Sequence, residues 1–101
     1  MPCTIKKSEI PEGEARSVVV DGVVVAVCNV NGVFHAVEGT CPHAGGPLGD
    51  GFVSGGNLVC PWHGWQFEVE SGACTFAPEM VLERYAVSDQ GETLEISPKG
   101  S

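Results

Sequence analysis

Ala15-Arg16-Ser17-Val18-Val19-Val20-Asp21-Gly22-Val23-Val24-Val25-Ala26-Val27-Cys28-Asn29-Val30-Asn31-Gly32-Val33-Phe34-His35-Ala36-Val37 holds three Val-rich runs divided by two turn pairs. β-Branched residues suit a pleated, half-buried backbone. Asp-Gly and Asn-Gly supply the positive φ angles that two-residue hairpin loops require. The stretch therefore predicts antiparallel strands at 15–20, 23–30 and 33–37. Working outward, the same punctuation predicts short strands at 3–7, 51–54, 57–60, 66–69, 84–88 and 93–97. Turns at Ser54-Gly55-Gly56, Glu70-Ser71-Gly72 and Asp89-Gln90-Gly91 separate the later ones. Ser8 to Gly13 offers at most one helical turn, and residues 39–50, rich in Gly and Pro, predict an irregular loop. The expected fold class is all-β, a small antiparallel sandwich or barrel.

The chain has 101 residues, which suits one domain spanning 1–101. Five basic against thirteen acidic residues leave a formal charge of −8. Such a surface repels nucleic acid and anionic membrane, which excludes both as expected partners. It suits a basic docking patch on another protein. No run approaches the length of apolar sequence that a transmembrane helix needs, and the segment Met1 to Lys7 lacks an export pattern. A cytoplasmic monomer is the expectation. Five cysteines, an odd number, argue against a disulfide framework and fit a reducing compartment.

Chemistry concentrates in two loops within 39–78. Cys41-Pro42-His43 lies in the first and Cys60-Pro61-Trp62-His63 in the second, with sixteen residues between His43 and Cys60. That interval is long enough for a return hairpin, so two loops, each offering a thiolate and an imidazole, can meet at one metal centre. Gly45, Gly46 and Gly64 beside these residues allow backbone approaches closed to other residue types. Cys28 sits within a Val-rich strand and is expected to be a buried, inert thiol. Cys3 and Cys74 have no partner identifiable from sequence. His35 follows Phe34 on an alternating strand and is expected to face solvent. Trp62 and Trp65 suit either shielding of the centre or a core role.

Cys-x-His, sixteen residues, then Cys-x-x-His is the Rieske pattern, in which two His replace two Cys on one iron of a [2Fe–2S] cluster. The chain resembles that family along nearly its whole length. It is most similar to bacterial ferredoxins of ring-hydroxylating oxygenases, through Cys41 to Leu48, Cys60 to Phe67, Glu70-Ser71-Gly72, Ala77-Pro78 and Arg84 to Val87. The resemblance implies one cluster, with Cys41 and Cys60 on the inner iron and His43 and His63 on the outer. It also implies a third loop over the cluster near Ala77-Pro78. Two thiolates balance the oxidised core, so reduction creates a single negative charge. Four thiolates would make reduction add to a charge already negative, and exchanging two of them for His raises the potential.

Each iron in this scheme has two protein ligands and two sulfides and no open position, which implies a carrier of single electrons rather than an enzyme. The resemblance implies a flavin-dependent NAD(P)H reductase as donor and a terminal oxygenase as acceptor. Rieske proteins of quinol-oxidising complexes carry a disulfide whose cysteines would fall at Gly46 and Trp62. Their hydroxyl donors to sulfur would fall at Trp65 and Phe67. Without those donors the expected potential lies at the low end of the family range, roughly −150 mV. Two alternatives share parts of this reading. The small subunit of assimilatory NAD(P)H nitrite reductase is similar in length and fold, and a structural zinc module accepts the same four ligands.

Overall fold

The computed structural model describes residues 3–41, 45–62, 64–75 and 77–97. Among these, nine strands form in the order β1 (Cys3–Lys6), β2 (Ala15–Val20), β3 (Val23–Val30), β4 (Val33–Glu38), β5 (Phe52–Ser54), β6 (Asn57–Val59), β7 (Gln66–Glu68), β8 (Arg84–Asp89) and β9 (Thr93–Ser97). Each matches a run anticipated from Val-rich or alternating sequence. Single turns of 3-10 helix occupy Lys7–Glu9 and Leu48–Asp50, the second inside the segment expected to be irregular. The β2–β3 and β3–β4 connections are as the turn pairs require. Asp21 and Gly22 have φ of 50° and 80°, and Asn31 and Gly32 have 52° and 88°. Both central residues at positive φ is the hairpin geometry whose twist matches the flanking strands.

Six strands form one antiparallel sheet in the order β1-β9-β8-β4-β3-β2, and β5-β6-β7 form a smaller one. The outer strands β1 and β2 approach each other, so the larger sheet nearly closes into a barrel. Strands β4 and β8 pair directly through Ala36 with Tyr85 and Val37 with Arg84. The chain between them leaves the barrel, builds the small sheet and its loops, and returns. That excursion is anchored by Glu14 bridging Phe52 and by the Val53 N–H donating to the Gly13 carbonyl at 2.9 Å. It also lies flat on β2. A Cβ on Gly49 would fall 1.9 Å from Ser17 Oγ, so only glycine permits this approach.

Strand β3 faces two cores at once. Val25 and Val27 pack inside the barrel with Ile10, Val20, Ala36, Leu94 and Ile96. Ala26 and Cys28, on its other face, pack with Val37, Leu48, Leu58, Phe67, Leu82 and the cysteines of the excursion. A strand segment buried on both faces gains nothing from alternation, which is why Val25 to Cys28 reads as a continuous apolar run. Each fully buried Val or Leu contributes about 1.5–3 kcal/mol.

Asn29 is the buried polar residue of this region. Its Nδ2 donates to the Ile10 carbonyl at 2.8 Å, and its Oδ1 accepts from the Gly32 N–H at 2.8 Å. Its backbone exchanges bonds with the same segment, accepting from Gly13 N–H and donating to the Glu14 carbonyl. The side chain thus ties the crossover before β2 to the β3–β4 turn. Asn29→Ala leaves the Ile10 carbonyl and the Gly32 N–H without these partners and is expected to cost about 1–3 kcal/mol. A lowered urea midpoint checks this; an unchanged midpoint contradicts it.

Candidate metal centre

Two short hairpin loops rise from the excursion. The first starts at Gly39, whose carbonyl accepts from the Leu48 N–H at 2.9 Å, and continues through the Thr40–Pro47 bridge. Within it the Cys41 N–H donates to the Gly46 carbonyl at 2.9 Å, and the Gly45 N–H donates to the Cys41 carbonyl at 2.7 Å. Gly45 holds a φ of 73°, the left-handed turn that glycine adopts without strain. The second loop joins β6 to β7 and is closed by the Cys60 N–H donating to the Trp65 carbonyl at 2.7 Å. Each loop is therefore shaped by its own backbone bonds.

Those bonds place Cys41 and Cys60 in the same core, each 1% exposed, with their sulfurs in hydrogen-bond contact. Both thiols are free. Burial pushes the Cys60 thiol above its ordinary value; the Trp62 N–H that donates to its sulfur pulls the other way, and the neighbouring Cys41 adds to the rise. Burial disfavours the Cys60 thiolate unless a cation compensates it, and both sulfurs must be thiolates to ligate a metal. Metal ligation supplies that charge and removes both protons. The donor set fits an iron–sulfur centre on this ground. The loops are closely packed at Gly46, where a Cβ would lie 3.0 Å from Cys60 Sγ and 3.0 Å from the Trp62 ring.

His43 and His63, the other two expected ligands, lie outside the described residues. The third loop expected near Ala77-Pro78 packs Ala77 and Met80 against the core that contains Cys41 and Cys60. The Met80 N–H donates to the Ala77 carbonyl and the Cys74 N–H to the Met80 carbonyl. Trp65 packs against that core, whereas Trp62 keeps 49% of its surface exposed. Phe67 is fully buried. Neither Trp65 nor Phe67 offers a hydroxyl to sulfur.

The remaining thiols and His35 take different places. Cys28 is buried and inert as expected, its thiol pushed up to about 12 by burial, against a smaller opposing effect from the His35 backbone. Cys74 lies in the same core as Cys41 and Cys60, and Cys3 is half-buried on β1. His35 does not simply face solvent. It is half-buried and lines a cavity of about 350 Å³ with Phe34, Glu70, Arg84 and Tyr85. Burial lowers its pKa, Glu70 opposing the shift and Arg84 adding to it. Strand alternation missed this because the cavity wall comes from the turn after β7, distant in sequence.

Fold and site together define a small β protein in which two hairpin loops bring two buried thiols together. The Rieske [2Fe–2S] domain model matches residues 1–86. The chain is 34% identical over 89 residues to the ferredoxin component of the naphthalene 1,2-dioxygenase system of Pseudomonas aeruginosa, covering 87% of this chain and 86% of that one. In the solved complex of reduced oxygenase and oxidised ferredoxin in carbazole 1,9a-dioxygenase, one chain matches at a TM-score of 0.82 and 28% identity, over 97% of this chain and 95% of that one. A Mycobacterium tuberculosis structure named for the small subunit of an NADH-dependent nitrite reductase matches at a TM-score of 0.84, covering 100% of this chain and 99% of that one. At 19% identity that likeness shows the fold alone. The chain belongs to the Rieske [2Fe–2S] family, and its cofactor is a Rieske-type [2Fe–2S] cluster rather than structural zinc.

The Cys28 pKa carries a direct consequence. A thiol held near 12 stays protonated at pH 8 and cannot act as a nucleophile. Iodoacetamide at pH 8 is expected to leave Cys28 unmodified in the native protein and to alkylate it after unfolding. Modification of the folded holoprotein at Cys28 contradicts the assignment.

Proposed function

We propose that this chain is a soluble, cytoplasmic, low-potential Rieske ferredoxin that takes one electron from a flavin-dependent NAD(P)H reductase and passes it to a terminal oxygenase. In this reading Cys41, His43, Cys60 and His63 hold the cluster. The observation that carries it is the pair of buried thiols, side by side at the meeting of two hairpin loops. The relation to a dioxygenase-system ferredoxin over most of both chains supports the role, as does the likeness to the chain solved with an oxygenase.

When bound, the cluster supplies one-electron redox chemistry in which no substrate bond is made or broken. The chain's own residues do the rest. Cys41 and Cys60 contribute thiolates from a site closed to water, with Leu48, Leu58 and Phe67 in the same core. His43 and His63 contribute neutral imidazoles, which keep the reduced site at a small negative charge. Trp65 and Phe67 stand where hydroxyl donors would otherwise stabilise that charge, which supports a potential at the low end of the family range. No helix among the described residues is long and apolar enough to cross a membrane.

The formal charge of −8 supports docking on a basic patch of the partner. The test is reconstitution with an NADH-dependent flavin reductase and a ring-hydroxylating oxygenase. Product formation is expected to require this chain, to vanish with Cys60→Ser, and to fall severalfold in kcat/KM for the ferredoxin as salt is raised. A rate independent of salt contradicts the docking account. Tight stoichiometric binding to a sirohaem protein, with no electron delivery to the oxygenase, contradicts the carrier assignment.

A further inference from the structure

The backbone bonds that shape the two ligand loops close each loop on itself. Cys41 and Gly45 bond within the first, and Cys60 bonds to Trp65 within the second. The loops must still be held in register, because a shift of one against the other separates the two thiols. Among the described residues, the indole of Trp62 reaches across this gap. Gly46 is buried in the first loop, and the point where its Cβ would stand is 3.0 Å from Cγ and Cδ2 of Trp62 and 3.0 Å from Cys60 Sγ. Indole and sulfur therefore converge on the face of the glycine that carries no side chain. Half of the Trp62 surface is exposed. The other half is covered, and Cys60, which shares the Gly46 face with it, is only 1% exposed.

We propose that Trp62 is a positioning residue for the metal centre: its indole, laid over Gly46, clasps the two ligand loops together and closes the Cys60 sulfur to water. The inference rests on the reading that Cys41 and Cys60 hold the cluster. It assigns distinct tasks to two parts of one residue. The backbone N–H of Trp62 donates to the Cys60 sulfur and survives any substitution except proline. The indole supplies apolar cover and the cross-loop contact. It also gives Gly46 a reason beyond turn geometry. Any side chain there must displace the ring or the sulfur, so Gly46 and Trp62 act as one unit.

The experiment compares holoproteins by the rate of cluster loss to an iron chelator, read from visible absorbance, and by midpoint potential. Trp62→Ala is expected to lose the cluster about tenfold faster, the effect of removing half an indole's apolar cover. Its potential should rise, because water reaching the sulfur hydrogen-bonds to the added negative charge. Trp62→Phe keeps a ring over Gly46 and should restore loss to within about twofold of the parent. Phe52→Ala removes a side chain of similar exposure, 52%, from β5 and should leave both readouts unchanged. Gly46→Ala should speed cluster loss with the indole still present, and less so when combined with Trp62→Ala, which removes the ring contact and leaves only that with Cys60 Sγ.

Additive effects of the two substitutions, with a potential unmoved by Trp62→Ala, overturn the clasp. If Trp62→Ala fails to assemble, Gly46→Ala and Trp62→Phe still decide the matter through loss rate and potential. Iron content and a visible spectrum unchanged in Cys60→Ser overturn the ligand reading and the clasp with it. A requirement for Cys60, with Trp62→Ala behaving like the parent, overturns the clasp alone.

Discussion

Strand β3 is a wall shared by two cores, and the position of the metal centre follows from that. Val25 and Val27 fill the barrel, while Ala26 and Cys28 back the excursion that carries the ligand loops. Both faces must stay apolar, so a polar residue within the strand requires full internal hydrogen bonding. Asn29 meets that requirement by binding Ile10 and Gly32. The small sheet is three strands of three residues each and could not bury enough surface alone. It borrows its core from β3, from Val37 on β4, and from Leu82 just before β8. The direct pairing of β4 with β8 brings the two ends of the excursion together, which limits how far its loops can drift.

Electrostatics then explains the character of the site. Burial pushes the Cys60 thiol above its ordinary value, so forming its thiolate there needs compensating positive charge. The same low-dielectric surroundings penalise negative charge gained on reduction. Imidazole ligands, as proposed for His43 and His63, would ease that penalty because they bring no charge of their own. Hydroxyl donors would ease it further, but Trp65 and Phe67 supply none. Apolar cover and two neutral ligands thus pull the potential in opposite directions. An acidic exterior adds little at the centre itself, since exposed charges are screened within about 10 Å at moderate salt; its larger effect is on encounter with a partner.

Much of this was legible in the chain because local chemistry and tertiary demand agree. Asp21-Gly22 and Asn31-Gly32 name their turns, and every predicted strand forms within a residue or two of its expected ends. The meeting of Cys41 and Cys60 was legible through spacing, since the interval between them holds a return hairpin. Long-range geometry was not legible. Nothing in Asn29 distinguishes a buried crosslink from another strand-end asparagine. The alternation around His35 pointed outward, while the turn at Val69 and Glu70 folds over it. Glycine at 46 read as allowing a close backbone approach, whereas the fold leaves the place of its missing side chain to the Trp62 ring and the Cys60 sulfur. The division into six and three strands was equally hidden, because strand signals do not say which neighbour a strand will choose.

The midpoint potential of the purified holoprotein, measured by direct voltammetry at neutral pH, tests the central claim most directly. Two thiolates and two imidazoles without hydroxyl donors predict a reversible one-electron wave near −150 mV, at the low end of the Rieske range. A wave near about −400 mV, as for a cluster held by four thiolates, would contradict the ligand set. A wave well above zero would keep the ligands and contradict the low-potential account of Trp65 and Phe67.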